Sequence, residues 1–443
     1  MTAERVVDRR LPATLLAGEA TLPPALEQPK LSGLKALRAE AVERVGALKL
    51  PTSHDEAWRF TGISTLAEQA FHRPAAAAAV QPADMERFAI AEAAIRLVFV
   101  DGVHVPQLSS GTDEAVGEGI VIGNLAALPS HHAATVAAHL GRHAGFHDHL
   151  FAALNLAFLR DAAVVLVPRG TALAKPVHLL FVAAEAGAAS HPRVLVVAAP
   201  GSEVSVVEDY VALHGEAGFT NPVAEIVVGA GAKVEHVRVQ RESAAAFHVA
   251  CCAVSLAAAS RYRSVSVALG ARLSRLDLSV QQTAEGAECT LDGLALIGGA
   301  QLADTHSVVD HLRPHGTSRQ LHKCIVDGAA HAVFNGKVMV RPGAQKTDSA
   351  QSSRNLLLTR KAVADTLPQL EIFADDVKCA HGATVGQLDA EEVFYLRSRG
   401  LSEAAAKNLL TYAFGAEVID RIGIASLRRS LEQTVLERTE RQP

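Results

Sequence analysis

Aromatic side chains are scarce in this chain: one Trp, four Tyr and 14 Phe among 443 residues. A wide cleft for stacking sugars or bases has little to be built from. Cysteine is sparse too. The five residues Cys251, Cys252, Cys289, Cys324 and Cys379 are odd in number and contain no C-x-x-C pair. That argues against a disulfide framework and fits a reducing compartment. No basic run exceeds a few residues and the formal net charge is -5. A nucleic-acid groove needs clustered cations, so no nucleic-acid partner is expected. No window approaches the length of a membrane span, and MTAERVVDRR lacks an apolar core followed by a cleavage site. A cytoplasmic protein with no membrane partner is therefore expected. Also missing are a G-x-x-x-x-G-K-[ST] loop, a dinucleotide fingerprint in a βαβ unit, a G-x-S-x-G element and any evident nucleophile–base pair. GLALIGG and GAGAK are glycine-rich without the required spacing. The expectation is a non-enzymatic chain with no catalytic residues and no bound nucleotide.

What is abundant is alanine, valine and leucine, with apolar residues at 49%. Small and β-branched side chains suit closely stacked strands. The length exceeds one ordinary core and predicts two or three domains. Residues 1–150 read as a mostly helical domain. KLSGLKALRAEAVERVGAL has helix-period apolar positions, and IRLVFVDG reads as a strand ending in an Asp-Gly turn. Residues 151–384 change texture. AAVVLVP, PVHLLFVAA, PRVLVVAA and their successors, through DSAQSSRNLLL, are short apolar or alternating runs. Turn residues punctuate them every eight to twelve positions. That is an all-β domain, either a sandwich or barrel or a β-helix, and no strict repeat period is visible. Residues 385–443 turn helical again. AEEVFYLRSRG ends at Gly400, and Ser402 caps LSEAAAKNLLTYAFGAEVIDRI, so a helical hairpin is predicted. It reads as a unit that can be removed while leaving the β domain folded.

The densest chemistry lies in QSSRNLLLTRKAVADTLPQLEIFADDVKCAHGATVGQLD, residues 351–389. Cys379 and His381 are two apart, so on an extended strand they point the same way. A thiolate beside an imidazole is half of a zinc, iron or cluster site, and two ligands do not fill a tetrahedral metal. The remaining ligands must come from elsewhere in the fold or from another chain. The competing reading is a buried cysteine beside a core histidine. Leu370, Ile372 and Ala374 form one apolar face, which would place Cys379 and His381 on the other, with Asp375 and Asp376 marking a turn or bulge that resets the pattern. A reactive thiolate needs a depressed pKa, and Lys378 is the neighbour that would supply it. His131, His132, His139, His143, His147 and His149 crowd a second stretch. His139, His143 and His147 would share one helical face. Gly141 and Gly145 weaken that helix, H-E-x-x-H is absent, and no cysteine or glutamate is suitably placed nearby. This stretch reads as a solvated polar face, with a zinc protein as the rival. His306, His311, His315, His322 and His331 thread the β region as turn and ladder residues, some of them able to approach His381 across stacked strands.

The segments SSRNLLL, LPQLEIFADDVKCAHGAT and VGQLD resemble the SufB/SufD family of iron–sulfur cluster assembly scaffolds, on its SufD side. PTSHDEAWRFT, through Glu56, Trp58, Arg59, Phe60 and Thr61, resembles the family's amino-terminal element. EEVFYLRSRGLSEAAAKNLLTYAFGAEVID is similar to its ending. Gly382 stands where the SufB branch usually carries glutamate, and Ala380 where the family often has serine. The resemblance runs from about residue 50 to about residue 425. It implies a right-handed parallel β-helix core flanked by amino- and carboxy-terminal helical domains. It also implies pairing with SufB, docking of the SufC ATPase on the carboxy-terminal helices, and a transient iron–sulfur cluster or iron shared with SufB. His381 would be the metal ligand and Cys379 a second cluster-binding residue. The isolated chain would be able to form a homodimer through an open solenoid end. The rival class is a β-helix carbohydrate-active enzyme using Asp375 and Asp376 as paired acids.

Overall fold

The computed structural model describes residues 32–111 and 119–440. Its centre is a parallel β-helix. A ten-stranded sheet and an eleven-stranded sheet face one another, and from Phe247 onward the chain alternates strictly between them. Each strand pairs in parallel with the one two places later. Ladders such as Lys233↔Arg261, Arg261↔Glu288, Glu288↔Thr317, Thr317↔Asp348 and Asp348↔Lys378 set a coil of 27 to 31 residues.

One corner of each coil is a residue with left-handed backbone. These corners fall at Gly170, Gly201, Gly231, Ala259, Gly286, His315 and Lys346, with φ between 51° and 71°. Each donates its N–H to a carbonyl of the next coil, from Gly170 to Pro200 through to Lys346 to Asp376. Glycine accepts this conformation without cost, and the three exceptions are held in it by the stack.

Period-two alternation sorts the side chains. Val204, Val206, Val234, Tyr262, Cys289 and Leu291 point inward, against Val196, Ile226, Val254 and Val280 of the facing sheet. Toward the carboxy-terminal end the interior becomes polar: Ser307, His311, Ser318, His322, Ser349, Gln351, Ser353 and Asn355 are all buried.

Both outer faces are covered. Helices Ser32–Ala47 and Leu150–Ala157 pack over the eleven-stranded sheet on Leu195, Val223, Val249 and Leu273. Between them the chain forms short helical turns and strands, so regular helix is sparser than the alanine-rich sequence suggests. The Glu56–Thr61 motif anchors this layer. Arg275 lies over the Trp58 ring at 3.9 Å, and the Thr61 hydroxyl donates to Asp304 at 2.5 Å. Antiparallel strands Val103–His104 and Val121–Asn124 terminate the parallel ladders at the amino-terminal end.

Over the ten-stranded sheet lie helices Glu403–Ile419 and Ala425–Glu440. Their Val418, Ile419, Leu427, Leu431 and Val435 join Val207, Val237, Val265, Leu294 and Ile325 in one apolar cluster. The carboxy-terminal helices thus cover this face of the sheet, and removing them would bare its valine-rich surface to water. The helix Ala425–Glu440 adds a third member to the predicted hairpin.

Candidate functional site at the open end of the solenoid

The last coil consists of strands Val363–Ile372 and Lys378–Gly386. Each is the edge of its sheet and pairs on one side only among the described residues. Pro368 sits within the first of them, where a missing N–H is tolerated because that edge has no further ladder. Val363, Ile372, Phe373 and Val385 are exposed there, as are Phe394, Tyr395 and Leu409 on the adjoining helices. Two unpaired backbone edges beside exposed apolar side chains make a surface suited to strand addition by another chain.

Cys379 and His381 stand on strand Lys378–Gly386, in register with Ser349 and Gln351 of the preceding coil. Both partners are buried inward, so the two candidate ligands lie over the interior columns of the solenoid. Beneath Cys379, His311 Nε2 lies 3.0 Å from the Ser318 hydroxyl, which donates to Ser349 at 2.8 Å. Beneath His381, Gln351 donates to Gln320 at 2.9 Å and Gln320 to Ser307 at 2.7 Å. His381 itself is exposed. It also borders a groove lined by Arg319, Arg354, Glu417 and Arg421, where the helix Glu403–Ile419 meets the last coils.

Two expectations about this strand change. Cys379 shares an interior cluster with Leu370 and Ala374 and does not oppose them. The turn at Asp375 and Asp376 carries the chain to the other sheet, which resets facing. The thiol of Cys379 is also raised, not depressed: partial burial pushes it up, and Asp348 adds to this against a backbone hydrogen bond at Ser349. Lys378 does not offset these effects. Asp376 is ion-paired with Lys346 in an exposed turn, and Asp375 is exposed beside it.

The histidines distribute differently from their sequence order. Helix Ala133–His139 ends at His139, and Gly141 follows with φ +73°, so His139, His143 and His147 share no helical face. His139 and His143 stack, with ring nitrogens 3.2 Å apart. Buried Glu225 accepts from the N–H groups of Gly141 and His143 and pairs with Arg193, fixing the turn. His149 leaves this group. It caps helix Leu150–Ala157 and meets Cys251 and Asp277, which are 102 and 128 residues away in sequence. No local spacing signals that meeting. His306, His315 and His331 pair with Asp304, Glu285 and Asp365. His311 and His322 are interior, and none of the five is in register with His381.

Residues 181–414 match the profile described as "SUF system FeS cluster assembly, SufBD core domain", and residues 23–179 match "SufBD protein N-terminal region". The chain belongs to the SufBD family. An iron–sulfur cluster assembly SufBD family protein of Synechocystis is 41% identical over 413 residues, covering 91% of this chain and 90% of that protein. The iron–sulfur cluster assembly protein SufD of Escherichia coli is 35% identical over 386 residues, covering 86% and 88%. A chloroplastic protein of Arabidopsis thaliana is 32% identical over 407 residues, covering 89% and 84%. This SufBD protein is therefore SufD-like and has a role in SUF iron–sulfur cluster assembly. Among its described residues no helix is long and apolar enough to cross a membrane.

Proposed function

We propose that this chain is the SufD-type scaffold subunit of a cytoplasmic SUF complex, with no catalytic role of its own. Its open end pairs with SufB, and His381 donates an imidazole to an iron or nascent cluster whose other ligands come from SufB. Cys379 is a secondary ligand, because a raised thiol gives up its proton only when a metal displaces it. The SufC ATPase docks on the carboxy-terminal helices through the exposed Phe394, Tyr395 and Leu409. In the absence of SufB the same end takes a second copy of the chain. The observation that carries this reading is the coincidence of His381 with the unpaired, apolar-rimmed edges of both sheets. Ligands at a bare edge make half a site, and a second chain adding strands there completes it.

The test is cluster reconstitution in the assembled complex with SufB and SufC. His381→Ala should melt within about 0.5 kcal/mol of the parent, as expected for an exposed substitution, and should assemble normally while cluster yield falls at least tenfold. Normal cluster yield would remove the ligand assignment. Phe394→Ala with Tyr395→Ala should weaken SufC association without loss of fold. Undiminished SufC binding would place that contact elsewhere.

A further inference from the structure

Beneath the amino-terminal helices, on the outer face of the eleven-stranded sheet, three chemically different donors converge. His149 Nε2 lies 3.5 Å from Cys251 Sγ and 3.2 Å from Asp277 Oδ2. The ligand atoms of all three lie within 4.8 Å of one another. Cys251 and Asp277 are register neighbours on adjacent strands, Phe247–Leu256 and Leu273–Gln282. His149 descends on them from the start of helix Leu150–Ala157. Three separate segments thus deliver one sulfur, one nitrogen and one oxygen to a common point.

We propose that His149, Cys251 and Asp277 form a binding site for a divalent ion of the zinc(II) or iron(II) class, separate from the open end. The spacing fits. With bonds of about 2.0–2.3 Å, two donors at a tetrahedral centre stand roughly 3.3–3.6 Å apart, close to the 3.2 and 3.5 Å observed here. A mixed sulfur, nitrogen and oxygen set favours a borderline transition ion and disfavours calcium or magnesium, which take oxygen. Three protein ligands leave one tetrahedral position for water or an incoming ligand.

The surroundings fit too. Arg275 grips Asp277 through Nε and Nη2, at 3.1 and 2.7 Å, and reaches Asp304 through Nη1. That one guanidinium is shared between two carboxylates, and Asp304 also lies 3.1 Å from His306 Nε2. Arg275 also orients the Asp277 carboxylate from behind, as outer partners of metal ligands do. Asp304 is in turn held by Thr61, so the amino-terminal motif braces the site. The His149 and Asp277 side chains remain 32% and 19% exposed, enough to admit an ion.

The full chain, stripped with chelator, is titrated anaerobically with cobalt(II) as a spectroscopic probe. One equivalent should bind with a thiolate-to-cobalt charge-transfer band. Zinc(II) and iron(II) are then added separately as competitors, and displacement of the cobalt identifies which ion the site prefers. Cys251→Ser should abolish the band, and His149→Gln and Asp277→Asn should weaken binding at least tenfold. Cys379→Ser and His381→Ala should leave the band unchanged, which keeps this result distinct from the reading of the open end. A second measurement needs no variant: bound zinc should protect Cys251 of the parent chain from alkylation, mapped by peptide mass. No band in the parent, a band that survives Cys251→Ser, or equal alkylation with and without zinc would each overturn the site.

Discussion

At the scale of single residues, environment sorts five cysteines that look alike in the sequence. Cys252, Cys289 and Cys324 are buried in the solenoid, and burial pushes the thiols of Cys289 and Cys324 up to about 12. Cys379 is half-exposed at the end, and burial and Asp348 raise it less far. Thiolate is the reactive form, so alkylation of the native chain should leave Cys252, Cys289 and Cys324 unmodified. Labelling of Cys379 should keep climbing with pH beyond the ordinary thiol range. Peptide mapping after timed exposure to iodoacetamide checks this, and a Cys379 rate that levels off near neutral pH would contradict the raised thiol. The sequence places Cys379 and His381 on one face of a strand because a spacing of two has one geometric meaning there. It cannot show that Asp348 of the preceding coil outweighs Lys378, because that neighbour is set by coil register. The His149, Cys251 and Asp277 group is invisible for the same reason: its members meet only after the strands stack and the helix docks.

At the scale of the element, the left-handed corner column explains why the solenoid carries no evident repeat. The corner recurs at 170, 201, 231, 259, 286, 315 and 346, but it is glycine in only four of the seven coils and its spacing drifts. The runs from AAVVLVP to DSAQSSRNLLL are legible as strands because period-two alternation and turn residues are local signals. Their order in two facing sheets is not local, and the choice of β-helix over sandwich rests on resemblance. Gly231 has open space where a Cβ would stand, so Gly231→Ala isolates the backbone term and should cost about 1–2 kcal/mol. Ala259→Gly, at an exposed corner already forced to φ 51°, should instead be neutral or stabilising by up to about 1 kcal/mol. Urea titration of both variants is the check, and equal destabilisation by the two would remove the corner argument. The edge strands admit a parallel test. Val385→Lys at the exposed edge should leave stability within about 0.5 kcal/mol yet weaken association with the partner chain at least tenfold. Unchanged association would mean that partners approach by another face.

At the scale of the whole molecule, a narrow solenoid with a partly polar interior stores a pH dependence. His311 and His322 are buried inside the last coils, and loss of hydration holds both down to about 4. In the unfolded chain they return to about 6.5. Between those values the unfolded state binds protons that the folded state refuses, so stability must fall as pH drops through this window. Each fully titrating group contributes about 1.4 kcal/mol per pH unit, so this pair alone adds a slope approaching about 3 kcal/mol per unit near pH 5. Lower down, Glu208, Asp209 and Glu242 lie below their usual range despite burial, through His236, Arg241 and His248 respectively, and their contribution is lost in turn as they protonate. Asp101, Asp161 and Asp292, raised by burial, oppose this, but they start from the lower carboxylate range. From about pH 6.5 to about pH 5 the two histidines act together with His191, held down to about 4 by burial, and with His178 and His248, lowered by the same loss of hydration. His322 stacks on Phe334 with ring centroids 4.6 Å apart, so His322→Phe keeps an aromatic there while removing the titration. Urea midpoints of the parent should decline across this window, and those of His322→Phe should decline less steeply, by the share of the one histidine removed. A parent midpoint that stays level from pH 7 to pH 5 would show that these histidines take up protons inside the folded solenoid.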